Sequence, residues 1–169
     1  MLKFDSTDKI ALSKDHNISE FFSWLPHSNN IIVVKKVIAV SKAWGQIEID
    51  LEKIRRNTFK GADSFPADYG IELLAQSIGM IGAAQAKLNL VKRGSSSEAY
   101  VTGLKDFNFS SEHIDFSAPV FAEVYETRVF DKLRFCNVKL YRKKGEIEEL
   151  LISGVMKTYT VERAADSEC

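Results

Sequence analysis

Glu72, Gln76, Gly70 and His27 are the residues of this 169-residue sequence whose types and spacing can do chemistry together. Glu72 and Gln76 stand four apart in an otherwise apolar stretch, and helical spacing puts Gly79 and Ala83 on their side. A carboxylate in the first turn of a helix has its protonation set by burial and by the macrodipole, which favours the anion. Beside a channel it would act as an acid or base. Turned to water, it would only complement the dipole. Gly70 opens the same stretch, where free backbone N–H groups can polarise a carbonyl oxygen, or where a glycine simply lets the chain turn. His27, after Pro26, carries the side chain that titrates near neutral pH and most often serves as general base. The other histidines, His16 and His113, stand in a polar N-terminal segment and a polar loop.

These residues need a rigid frame, and the sequence provides one long helix over residues 69–90. At 3.6 residues per turn, Ile71, Leu74, Ala75, Ile78, Ile81 and Gly82 share a stripe, while Leu73, Met80 and Ala84 opposite are also apolar. A helix apolar nearly all round is a buried helix, and Gly79, Gly82, Ala83 and Ala84 let neighbouring backbone approach. Asp68 is its candidate cap. Strands are expected over residues 31–40, 43–51, 100–109, 120–130, 133–141 and 146–161, with turns at Asp131-Lys132 and Lys144-Gly145. A short helix over residues 18–24, capped by Asn17 and ended by Pro26, precedes them. Residues 56–68 read as irregular loop. Two strands, one helix and four strands pack most economically as a helix in the concave face of a curved six-stranded antiparallel sheet, an α+β fold. One domain spans residues 1–169, with residues 1–16 loose.

Composition narrows the function. Lys plus Arg and Asp plus Glu both number 23, so the basic surplus of a nucleic-acid binder is missing. Cys136 and Cys169 form neither a disulfide framework nor a zinc spacing, which suits a reduced, cytoplasmic protein. Residues 1–13 lack the apolar core of a signal peptide. The least polar window, residues 69–86, holds Glu72, Gln76 and several glycines, so no membrane span is expected. Phosphate-cradling, G-x-S-x-G and H-E-x-x-H motifs are absent, and neither metal nor cofactor is expected.

The sequence Trp24-Leu25-Pro26-His27 before a β-rich strand, then Asn57-Thr58-Phe59, then Gly70-Ile71-Glu72-Leu73-Leu74-Ala75-Gln76, resembles the hot-dog dehydratases that act on 3-hydroxyacyl thioesters carried by acyl carrier protein. The likeness is to their divergent aryl-polyene-cluster branch. It continues through Tyr100-Val101-Thr102-Gly103-Leu104-Lys105-Asp106-Phe107 to Pro119-Val120 and covers residues 24–162. The resemblance implies a catalytic pair: Glu72 as the carboxylate that helps the 3-hydroxyl leave, and His27 as the base. It also implies a substrate-binding set of Gly70, Ile71 and Gln76, with Gly70 at the carbonyl-binding end and Gln76 as a supporting hydrogen-bonder. In the ordinary dehydratases the histidine lies in a loop ahead of the helix. Here that loop, residues 60–68, has none, and Lys35-Lys36 replace an acidic residue of the first strand. Besides dehydration in fatty acid or polyene/polyketide-type biosynthesis, two readings stay open. One is an acyl thioesterase using Glu72, Asp63 or Asp68 to activate water. The other is a non-catalytic partner of an active dehydratase. A homodimer, or a heterodimer with another hot-dog subunit, is implied by the same resemblance.

Overall fold

The computed structural model describes residues 10–11, 31–91 and 97–162. The expected helix over residues 18–24, with Asn17 and Pro26, lies outside them.

The elements run β1 (Ile10–Ala11), β2 (Val34–Val40), β3 (Trp44–Ile49), α1 (Leu51–Asn57), β4 (Ser64–Pro66), α2 (Tyr69–Lys87), β5 (Ser97–Phe109), β6 (His113–Asp115), β7 (Val120–Phe130), β8 (Leu133–Lys144) and β9 (Ile147–Glu162). Six long strands and the two-residue β1 form one antiparallel sheet in the order β1-β2-β3-β7-β8-β9-β5. β4 and β6 pair as a small separate sheet. The expected long helix in a curved antiparallel sheet is what forms.

The alternation of each strand decides the packing. Val120, Ala122 and Val124 of β7, Cys136, Val138 and Leu140 of β8, and Ile152 and Met156 of β9 are buried in one core with Leu73, Leu74, Met80 and Ile81 of α2. The helix is pressed close to the sheet at two glycines. A Cβ on Gly45 of β3 would lie 2.6 Å from the Ile81 side chain, and one on Gly70 would lie 2.2 Å from Ile152 Cδ1. Two buried glutamines also fasten α2 to the β2–β3 hairpin. Gln85 Nε2 donates to the carbonyls of Ser41 (2.7 Å) and Lys42 (3.3 Å), and Gln76 holds the run into β2.

Four local expectations change. Residues 43–51 do not form one strand: β3 stops at Ile49, and Asp50 accepts from Lys53 N at 3.0 Å to cap α1. Leu51 continues the alternation of Ile47 and Ile49 but is the first residue of that helix. Within the expected loop 56–68, Ser64–Pro66 pairs with His113–Asp115. Asp68 has helical angles and makes no side-chain cap bond; backbone turns take its place. The long helix ends at Lys87, and Asn89, with φ 57°, turns the chain out through the left-handed region. The turns at Asp131 (φ 54°) and Gly145 (φ 64°) fall where the sequence puts them.

Candidate active site

Gln76 is the centre of the site's geometry. Only 3% exposed, it commits its amide to three partners. Its Oε1 accepts from Val33 N at 2.9 Å, and its Nε2 donates to the Ile31 carbonyl at 3.1 Å and to Glu72 Oε1 at 2.8 Å. One buried side chain thus ties the segment before β2 to the first-turn carboxylate of α2. Glu72 is exposed in the single chain. It is therefore both solvated and partnered, and the cost of an unpaired buried charge does not arise.

Gly70 is buried, and its N–H donates to the Ala67 carbonyl at 2.9 Å, as that of Ile71 does to Asp68 at 3.0 Å. These turns satisfy two N–H groups that a helix start otherwise leaves free. The glycine is needed for close approach, because any side chain would strike Ile152. Ile71 is half-buried, beside a face of α2 where Ala75, Ile78 and Gly79 are also half-buried. His27 lies outside the described residues, as does His16. His113 is exposed in β6, and Asp63 and Asp68 are exposed as well.

A roof over the helix start was missed by sequence reasoning. Phe59, Phe65, Tyr69 and Phe116 pack together with ring centroids 5.0–6.0 Å apart, Tyr69 edge-on to Phe59 and Phe65. The small β4–β6 sheet is bolted to the large one by Arg142 of β8, 3% exposed. Its Nη1 donates to Asp115 Oδ2 at 2.9 Å and Ser117 Oγ at 3.5 Å. Hydrogen bonds from Ser117, then the Arg142 guanidinium, hold the Asp115 carboxyl at about 2, below its usual 3.8. The available signal was Arg142 standing in phase with the inward-facing Val138 and Leu140. Burial pushes the Cys136 thiol up to about 12, so it is no nucleophile at neutral pH. Its place is in the core.

The sequence pattern of the ApeP dehydratase family matches residues 19–165. The chain belongs to that ApeP-like family. The fold agrees. A chain of the ApeI:P dehydratase heterocomplex from Xenorhabdus doucetiae superposes with a TM-score of 0.69 at 16% identity, over 85% of this chain and 91% of that one. A thioesterase from Haemophilus influenzae gives 0.56 at 10% identity, over 94% and 100%. A hypothetical thioesterase solved with coenzyme A from Streptococcus pneumoniae gives 0.55 at 7%, over 88% and 100%. At such identities the likenesses establish the hot-dog fold, which this ApeP-like chain shares with dehydratases and thioesterases. No curated protein matches it by sequence. No helix among its described residues is long and apolar enough to cross a membrane.

Proposed function

We propose that this ApeP-like chain removes water from 3-hydroxyacyl thioesters presented on an acyl carrier protein, with His27 as base and Glu72 as acid. The observation that carries the reading is the Gln76 network. The amide that holds Glu72 also holds Ile31 and Val33. His27 is joined to Ile31 by four residues of chain, at most about 14 Å fully extended.

The chemistry balances as follows. His27 takes a proton from the carbon beside the thioester carbonyl. The electron pair forms the new carbon–carbon double bond, and the bond from carbon 3 to its hydroxyl breaks. The departing hydroxyl takes the proton of the Glu72 carboxyl and leaves as water. Gln76 donates to Oε1, which leaves Oε2 to carry that proton. Negative charge building on the thioester carbonyl is favoured at the Gly70–Ile71 end of α2 by the helix macrodipole. Gln76 is then a positioning residue rather than one that touches substrate.

A second hot-dog subunit completes the assembly in this reading. β5 is one edge of the sheet, and Val101, Leu104 and Phe109 on it are each more than 40% exposed. A long edge strand with exposed apolar residues invites pairing with another sheet. The partner is a second copy or a different hot-dog chain.

Incubation with a 3-hydroxyacyl carrier protein, alone and with a candidate partner subunit, tests the reading by mass spectrometry. Loss of one water supports it. Release of free acid would instead favour the thioesterase alternative, with Glu72 activating water. Activity carried wholly by the partner would make this chain a non-catalytic subunit.

A further inference from the structure

Two short strands meet at the start of α2 without belonging to the main sheet. β4 leads into the helix and β6 lies beside it, with Ser64 opposite Asp115, Phe65 opposite Ile114 and Pro66 opposite His113. A two-stranded pair this short is marginal at best by itself, and Pro66 has no N–H to add to it. An outside anchor must fix it. The anchor matters because the start of α2 has no side-chain cap: Asp68 makes no such bond. The direction of the first turn, which carries Glu72, is therefore set by the chain that leads into it.

Hydrogen bonds connect that turn to the main sheet by way of the two strands. Arg142 Nη1 of β8 donates to Asp115 Oδ2 at 2.9 Å, and its Nη2 donates to the Asp115 carbonyl at 3.4 Å. On one side of Asp115, Phe116 N donates to the Asp63 carbonyl at 3.4 Å; at the other end of β6, Ala67 N donates to the Glu112 carbonyl at 2.9 Å. The Ala67 carbonyl in turn accepts from Gly70 N at 2.9 Å. Phe65 also packs on Phe116 and Tyr69. Burial of rings has no direction, whereas a planar guanidinium that donates through two nitrogens to one residue fixes both position and angle.

Stability does not explain an arginine here. Its side chain is 4% exposed, and its Nε is buried with no hydrogen-bond partner among the described residues. Two carboxylates lie within 4 Å of it. One is Asp115; the other is Glu149 of β9, whose Oε2 is 3.9 Å from Nε, too far for a hydrogen bond, and 3.7 Å from Lys144 Nζ. Apolar residues of similar volume often match a buried ion pair in stability. The Asp115 side chain is 51% exposed, so removing Arg142 strands no buried charge. What an apolar residue cannot supply is a fixed position for Asp115.

We infer that Arg142 is a positioning residue: through Asp115 and the β4–β6 pair it fixes the start of α2, and with it the place of the Glu72 carboxylate and of the Gly70–Ile71 end. The effect on rate rests on the dehydratase reading of the Glu72 site; the effect on the helix does not. Gln76 orients the Glu72 side chain, and Arg142 sets the backbone that carries it.

The test uses Arg142→Met, with Arg142→Lys beside it to keep the charge but lose the fork. In amide-resolved hydrogen exchange of the full chain, residues 70–73 should exchange about tenfold faster in Arg142→Met. Residues 80–84 of the same helix, and the urea midpoint, should stay as in wild type. With a 3-hydroxyacyl carrier protein as substrate, kcat should fall by about 10–10²-fold, the range that a misplacement of up to about 1 Å produces. KM should stay within about twofold, since no substrate contact is lost. Arg142→Lys should recover part of both effects. Unchanged exchange at the helix start, or faster exchange along the whole helix, overturns the inference, as does an unchanged kcat in an active wild type. Should Arg142→Met not fold, Arg142→Lys decides by the same local exchange pattern. An inactive wild type sinks the dehydratase reading alone, because the exchange pattern still decides what Arg142 does to the helix.

Discussion

Gln76 is where a single substitution should reach furthest. Gln76→Leu keeps much of the bulk but strands Val33 N–H and the Ile31 carbonyl, both bonded to the amide. The Val33 N–H is buried, and a buried group left unpaired costs about 1–3 kcal/mol. Urea denaturation should show that loss, and kcat for dehydration should fall more than KM rises, because Glu72 loses its orientation and not its substrate contacts. An unchanged urea midpoint would remove Gln76 from the frame. The sequence placed Glu72 and Gln76 on one side of one helix, since a four-residue spacing is legible without coordinates. It did not reveal that Gln76 faces the backbone ahead of β2, because a contact across 43 residues leaves no local trace. Nor did it show Glu72 as exposed; the first turn of a buried helix can face either way.

Among the elements, α2 and its roof carry the next two expectations. Gly70→Ala sets a methyl against Ile152 Cδ1, and such overpacking costs about 1–3 kcal/mol. Ile152→Val deletes that δ-methyl. The double variant should therefore recover much of the loss, as measured by thermal melting; equal melting of the single variant and the wild type would refute the close approach. The Asp115–Arg142 bolt gives an acid dependence. Asp115 titrates lower folded, at about 2, than its ordinary 3.8. Its contribution is then complete above about pH 4 and is lost as pH falls through about 2. The urea midpoint should decline over that window, less steeply in Asp115→Asn. The same slope in both would place the acid sensitivity elsewhere. The long strands and α2 were legible because apolar period persists over many residues. The three-residue β4 and β6 are too short to show a period, and α1 was hidden because Leu51 fell in phase with β3.

For the whole molecule, the β5 edge predicts association. The wild type should show twice the mass of the chain in light scattering at micromolar concentration, alone or with its partner subunit. Val101→Lys with Leu104→Lys, both on exposed positions of β5, should halve it. A wild-type monomer that finds no partner would count against edge pairing. The hot-dog architecture was legible from element order and an all-round apolar helix, while the catalytic assignment came from motif resemblance and stands or falls on chemistry. Its most direct test is mass spectrometry of a 3-hydroxyacyl carrier protein incubated with wild type and with Glu72→Gln, in the assembled form and with circular dichroism as the folding control. Wild type should release water. Glu72→Gln should be folded and slower by at least about 10²-fold, the contribution of a general acid. Undiminished dehydration by Glu72→Gln would contradict the account.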